Sequence, residues 1–354
     1  MAAIDYTYLI TTREIDRRGR FGTEPGETHF IRVPFGQKSY DPSHVIKDPT
    51  RWRRLVCAAA DGEEDEITGT KGDVLVFVHG YNNDIETVLW RTEMLETSLR
   101  EQGWRGAVVA FDWPSANSTL NYLEDRSDAA AVSDRMVKDA IGLLIDAQND
   151  PQSPCRLNTH LVGHSTGAYV ILEAFNQAQK RGDLYRADWR VAQVALIGGD
   201  IASSALDASS EWGRAMFDRC VRVTNYANRF DKVLGVSNAK RLGTAPRAGR
   251  VGLPPTAHSK AINVDCSTYF ASKDPRTSVF RGTFNHSWHI GDSVFALDLA
   301  MTLEGEIDRH QLPTRIDAGA GWGLSLRAGK RPDFQAGWDV DTPALARRAL
   351  PDPV

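Results

Sequence analysis

The sequence predicts an α/β protein, a mostly parallel central sheet flanked by helices on both faces. Three observations lead there. Unbroken apolar runs, such as Asp73-Val74-Leu75-Val76-Phe77-Val78 and Ala107 to Phe111, read as strands buried on both faces. Stretches with apolar residues at helical spacing lie between them. The two kinds alternate at short intervals, which is how parallel strands joined by crossover helices look in sequence. The composition, 42% hydrophobic and 25% charged, supplies a sizeable core for a chain of 354 residues.

In order, residues 4–10 alternate around Tyr6, Tyr8 and Ile10 and predict an edge strand. Arg13 to Gly26 reads as a loop or hairpin, with Thr28 to Val33 returning. From Gln37 to Ala60 the pattern is weak and broken by Pro42 and Pro49. Asp61 to Glu66 is a solvated acidic turn. The strand from Asp73 ends in His79-Gly80-Tyr81-Asn82-Asn83-Asp84. A helix carrying Ile85, Val88, Leu89, Leu95 and Leu99 follows. The strand from Ala107 ends in Asp112-Trp113-Pro114-Ser115. A long helix is expected over about 128–148, with Val132, Met136, Val137, Ile141, Leu144 and Ile145 on one side. Further strands are Val191 to Ile197, ending in Asp200, and Cys220 to Tyr226, ending in Asn228 to Asp231. Residues 232–264 hold Lys240, Arg241, Arg247, Arg250 and Lys260 and no acidic residue, and predict a basic loop or lid. Two readings stand side by side: a solvated surface loop whose charge does nothing, or a flap whose positive field draws in substrates with a carboxylate or phosphate near the ester. Ala261 to Cys266 is the last core strand, and a helix starts near Asp292. The division expected is one domain over 1–310, with an amino-terminal extension over about 1–70, and an irregular tail over 311–354.

The chain turns chemically specific at Leu157 to Phe175. A strand leads into Gly163-His164-Ser165-Thr166-Gly167, and a helix leads out. This is the G-x-S-x-G pattern in its strand–turn–helix setting. The turn must be tight enough to hold the Ser165 hydroxyl clear of the sheet, and a residue without Cβ fits best two positions to either side. A serine hydroxyl needs a base, and the base needs a carboxylate to fix its tautomer. Asp231 and Asp200 are the rival carboxylates, and His286 and His289 the rival bases. His286, in the loop proper, is better placed to reach over the sheet edge.

With these motifs in view, the chain resembles serine hydrolases of the α/β-hydrolase superfamily, in particular a poorly characterised, largely bacterial, esterase- or lipase-like branch. The segments that carry the resemblance are His79-Gly80-Tyr81-Asn82, Phe111-Asp112-Trp113-Pro114-Ser115, Gly163 to Gly167, Asn225-Tyr226 with Asp231, Leu234 and Ser237, and His286-Ser287-Trp288. The resemblance covers about residues 70–300. It implies the α/β-hydrolase fold, a catalytic set of Ser165, Asp231 and His286, and an oxyanion hole made by the Tyr81 and Thr166 backbone N–H groups. Asn82, Asp112, Trp113, His164 and Trp288 are candidate pocket-lining residues, although His79, His164 and Trp288 also suit purely structural roles.

The function expected on this basis is hydrolysis of a small-molecule carboxylic ester through an acyl-enzyme. The alternatives are a non-catalytic scaffold of the same fold, or an acyltransferase or peptidase with the same triad. No cofactor and no metal is called for: Cys57, Cys155, Cys220 and Cys266 stand far apart and look like separate reduced thiols. A net charge of −4 argues against nucleic acid as a partner. No apolar stretch has the length of a membrane span, and Met1 to Ile10 lacks the pattern of a secretory signal, so a cytoplasmic location is the default expectation.

Overall fold

The computed structural model of the protein describes residues 4–61, 72–115, 132–142, 158–182, 186–239, 244–318 and 323–332. The strands are β1 (Tyr6–Ile15), β2 (Phe21–Pro34), β3 (Asp73–Val78), β4 (Gly106–Asp112), β5 (Thr159–His164), β6 (Val191–Ile197), β7 (Cys220–Ala227), β8 (Ala261–Asp265), β9 (Arg315–Asp317) and β10 (Leu324–Leu326). They form one sheet in the order β2-β1-β4-β3-β5-β6-β7-β8-β10-β9. From β1 through β8 every neighbouring pair is parallel, and antiparallel pairs β1/β2 and β9/β10 close the two flanks.

The longer helices are α1 (Pro49–Asp61), α2 (Ile85–Glu101), α3 (Thr166–Lys180), α4 (Glu211–Arg219), α5 (Lys232–Ala239) and α6 (Ser293–Glu304). The period-two alternation of a strand sorts them into layers. Val74, Val76 and Val78 of β3 pack on the face covered by α1, α3 and α4. Leu75 and Phe77 point the other way, toward α2 and α6. Several of these helices begin on a side-chain cap. Asp84 accepts the Thr87 N–H at the start of α2, and Asp292 accepts those of Val294 and Phe295 at the start of α6. Gly305 ends α6 in the left-handed conformation, φ 68°.

The expected core strands and the helices α2, α3 and α6 are all present. The differences lie at the flanks. β1 is not the edge but lies between β2 and β4, and the hairpin loop narrows to Asp16–Arg20. Pro49, expected to break the pattern, instead opens α1: proline suits a first helical position, where no N–H is needed, and Asp48 accepts the Thr50 N–H beside it. Trp52, Val56 and Ala60 then bury one face of that helix. Residues 232–239 are helical rather than loop, with a further turn at Ala248–Val251. The expected irregular tail begins with β9 and β10, which extend the sheet. Of the long helix expected over 128–148, residues 132–142 are described, with Met136, Val137, Ala140 and Ile141 buried in a wide π-type turn. The acidic residues 62–66, Cys155, Leu157, Lys240, Arg241 and residues 333–354 lie outside the described residues.

Candidate active site

The carboxyl ends of β3 to β7 and the segment after β8 meet at one edge of the sheet, where open α/β sheets carry their sites. At the end of β5 the chain turns sharply at Ser165, whose φ of 56° and ψ of −122° are unusual for a residue with a side chain. The turn is held on both sides. The Ser165 N–H donates to Ile197 O at 3.0 Å, and its carbonyl accepts from Asp200 N at 3.0 Å and Ala168 N at 3.1 Å. The expected need for glycine is steric. A Cβ on Gly167 would stand 2.1 Å from Val78 O, and one on Gly163 2.8 Å from Ala168 N. A third glycine, in the His79-Gly80-Tyr81-Asn82 segment, is under the same constraint. A Cβ on Gly80 would stand 2.7 Å from Ser165 Cβ, so the loop after β3 rests directly against the serine.

His286 lies in a single helical turn, Phe284–Ser287. Its Nδ1 is 2.6 Å from Asp231 Oδ2, and both side chains are buried. Asp231 Oδ1 also accepts the Leu234 N–H at 2.9 Å, which fixes the carboxylate at the start of α5. An Nδ1–H donating to Asp231 leaves Nε2 of His286 as the proton-accepting nitrogen. Among the described residues the Ser165 hydroxyl makes no hydrogen bond in this resting geometry, but Ser165 and His286 line the same cavity. Catalytic contacts of this kind often close only around substrate.

His164, next to the serine, is turned toward His286. Its Nε2 donates to His286 O at 3.0 Å, and its ring lies 4.8 Å from that of His286. Burial first, then the neighbouring His286 and Arg91, push its pKa well below the usual histidine value. It is therefore a neutral brace. His289 is buried, stacked on Trp288 at 4.2 Å, and among the described residues neither ring nitrogen has a hydrogen-bond partner. Burial, then the nearby His286, push it down to about 3. Asp200 lines the same cavity, where its carboxylate accepts from Ser237 Oγ at 2.7 Å and faces Arg247 Nε at 3.5 Å. It does not cap the turn that follows: among the described residues, Ser203–Leu206 has no side-chain cap.

Tyr81 and Asn82 line the cavity, and Asn82 has a φ of 55°. Their loop is pinned from behind. Gly80 O accepts from His79 Nδ1 at 2.8 Å and from Asn83 Nδ2 at 2.7 Å, and Asn83 O accepts from Arg13 Nη2 at 3.0 Å. Asp112 and Trp113 belong to this backing and not to the cavity wall. Arg13 grips Asp112 through Nε and Nη2 at 2.8 and 2.9 Å, and Tyr40 and His79 complete its shell. Burial alone would raise the Asp112 pKa, but Arg13 and His79 hold it well below the usual carboxylate range. Trp113 Nε1 donates to His79 O. Trp288 is likewise drawn into the core beside Phe295 and Tyr269 instead of lining the cavity. Asn83 and Arg13 were not singled out in the sequence. An Asn following His-Gly-Tyr-Asn was a usable signal; Arg13, among other charges, was not.

The cavity is about 360 Å³, within the range of small-ligand sites. Its lining includes Tyr81, Arg91, Ser165, Thr166, Val233 and His286. The basic segment contributes less charge than expected. Arg247 is buried against Asp200, and Arg250 Nε donates to Asp231 O at 3.1 Å. Among the described residues no helix is long and apolar enough to cross a membrane, and no group of three His, Cys, Asp or Glu is arranged to hold a metal ion.

Comparison with known proteins gives one informative match. No curated protein matches the sequence. Among solved structures, a metagenomic carboxyl esterase is 15% identical, with a TM-score of 0.31 over 66% of this chain and 76% of its own. Lipase B of Aspergillus fumigatus is 11% identical, with a TM-score of 0.30 over 65% and 52%. Likeness at this level says nothing about substrate. The family described as alpha/beta hydrolase of unknown function (DUF900) matches residues 61–255, from the end of α1 past the Asp231 turn. The chain belongs to that α/β-hydrolase family.

Proposed function

We propose that the protein is a serine hydrolase that cleaves a carboxylic ester through an acyl-enzyme. The observation that carries this is the His286–Asp231 pair, 2.6 Å apart, on the cavity where Ser165 stands on a strained turn. Ser165 attacks the ester carbonyl while His286 Nε2 takes its proton. Asp231 holds the imidazole in the required tautomer and stabilises the imidazolium that forms. His286 then returns the proton to the leaving alcohol, and water releases the acid by the same route in reverse.

The oxyanion donors are the backbone N–H groups of Tyr81 and Thr166. Thr166 opens α3, so its N–H lies at the positive end of the helix dipole. Tyr81 N–H shares a peptide plane with Gly80 O, which takes two hydrogen bonds on the side of His79 and Asn83. In a trans peptide the N–H points the opposite way from that carbonyl. Each such donor contributes roughly 3 kcal/mol in the transition state.

Short-chain p-nitrophenyl esters and a fluorophosphonate probe test the reading. The protein should hydrolyse the esters and label once, and Ser165→Ala should lose both, with kcat down by at least about 10⁴-fold. An alanine variant that still labels, or an unmodified protein that neither labels nor hydrolyses, overturns it.

A further inference from the structure

Four arginines are buried among the described residues: Arg13, Arg91, Arg247 and Arg315. Three of them face a carboxylate, namely Asp112, Asp200 and Asp298. Arg91 does not. It projects from α2 into the cavity wall, 6% exposed, and its three hydrogen bonds all go to neutral acceptors. Nη2 donates to Arg281 O at 2.9 Å and to Ser287 Oγ at 3.3 Å, and Nη1 makes a long contact of 3.5 Å with His164 Nδ1.

A guanidinium taken out of water without a counter-charge is strongly unfavourable. The charge nearest it makes matters worse: burial, then the neighbouring Arg281, push Arg91 down to about 10. It is still a cation at neutral pH. The carboxylates nearby are already committed, Asp231 to His286, Asp200 to Ser237 and Arg247, and Glu86 to Arg281. The approach to Arg91 is also kept open. Gly282 lines the cavity with a φ of 96°, and a Cβ there would stand 3.1 Å from Arg91 Nη2. A polar hydroxyl on the same wall, Thr166 Oγ1, is buried without a partner among the described residues.

We propose that Arg91 receives a compact anionic group, a carboxylate or a phosphate, on the substrate whose ester lies at Ser165. The site then selects anionic esters, and the substrate supplies the counter-charge that the protein withholds. This rests on the hydrolase reading above. A purely structural Arg91, bracing His164 and Ser287, would affect charged and neutral substrates alike.

The test uses three p-nitrophenyl esters of matched length: the monoester of glutaric acid, its neutral methyl-capped analogue, and an analogue ending in phosphate. In the unmodified protein kcat/KM for one anionic ester should exceed that for the neutral one by at least about tenfold, the worth of one charge-assisted hydrogen bond. Which anionic ester is preferred identifies the group. Arg91→Gln should collapse the ratio to about one, Arg91→Lys should keep part of it, and Arg276→Gln, at an exposed arginine, should leave it unchanged. A ratio of one or below in the unmodified protein overturns the proposal while leaving the hydrolase reading intact. If no ester is cleaved and Ser165 does not label, the hydrolase reading has failed instead. Thermal shifts then decide the role of Arg91: glutarate or inorganic phosphate should raise the Tm of the unmodified protein and not that of Arg91→Gln. Equal shifts in both, or none, overturn it.

Discussion

At one flank of the sheet Arg13, from β1, grips Asp112 at the end of β4; at the other, Arg315, from β9, grips Asp298 on α6. Both pairs are two-pronged and sealed from solvent, and each is contributed by a segment that looks peripheral in the sequence. Arg315 reaches Asp298 at 2.7 and 2.8 Å, and Tyr226 and Thr314 donate to the same carboxylate. What surrounds them differs. The Arg13 pair extends through Asn83 O and His79 into the loop that carries Tyr81. The groups held by the Arg315 pair do not line the cavity. Equal geometry therefore does not imply equal function: one pair positions a loop of the site, and the other closes the sheet.

Removing one partner of either pair leaves a charge buried and unpaired, which destabilises by about 3–5 kcal/mol. Asp112→Asn and Arg315→Met should therefore both lower Tm substantially. They should part company in activity. With active sites counted by fluorophosphonate labelling, kcat per site should fall about tenfold or more in Asp112→Asn and stay within about twofold in Arg315→Met, since one oxyanion donor is worth roughly 10²–10³-fold. The contrast sharpens when each pair is made apolar, as such replacement often restores stability. Arg13→Met with Asp112→Leu should regain Tm without regaining kcat, whereas Arg315→Met with Asp298→Leu should regain Tm and remain active. Unaltered kcat in the first double variant would show that the two pairs are equivalent after all.

A smaller effect separates paired charges from titratable groups buried without a full partner. His289, pushed down to about 3, must be neutral in the folded protein, while in the unfolded chain it takes a proton near its usual value. Its contribution is present above about pH 6.5 and is lost as pH falls. Glu96 has the opposite sign. Burial, only partly offset by Arg100, pushes it up to about 7, so the stability it confers is present below about pH 4.5 and is lost as pH rises toward 7. Between pH 6.5 and 5, His289→Leu should flatten the fall in stability by up to about 1.4 kcal/mol per pH unit. Glu96→Gln should steepen it. Denaturant titrations at each pH measure both, and shifts of the same sign would contradict the assignment.

The sequence made the centre of the molecule legible and its flanks much less so. β3, β4 and the turn at Ser165 are local statements, an apolar run or five residues at fixed spacing. The His286–Asp231 pair was reachable because both residues follow strand ends at one edge of the sheet. Arg13 and Asp112 lie 99 positions apart, and no local pattern distinguishes a buried arginine from a solvated one. Arg91 was hidden for a related reason: on an amphipathic helix a charge reads as the wet face. In the basic segment the same limit applies, since Arg247 and Arg250 are bound within the fold and no local pattern marks them as such.

The φ of 56° at Ser165 has one more consequence. Such a backbone holds roughly 1–3 kcal/mol of strain, and alanine at the same position inherits it. Glycine does not, because it lacks the Cβ that makes the conformation unfavourable. The Ser165→Gly protein should therefore melt at a higher temperature than Ser165→Ala, although both lack the proposed nucleophile. The missing side chain also leaves room beside Gly80. A catalytically silent protein that outlasts its parent on heating would be the natural trap for an uncleaved substrate drawn from a cell extract, with the turn's relaxed tension serving as its preservative.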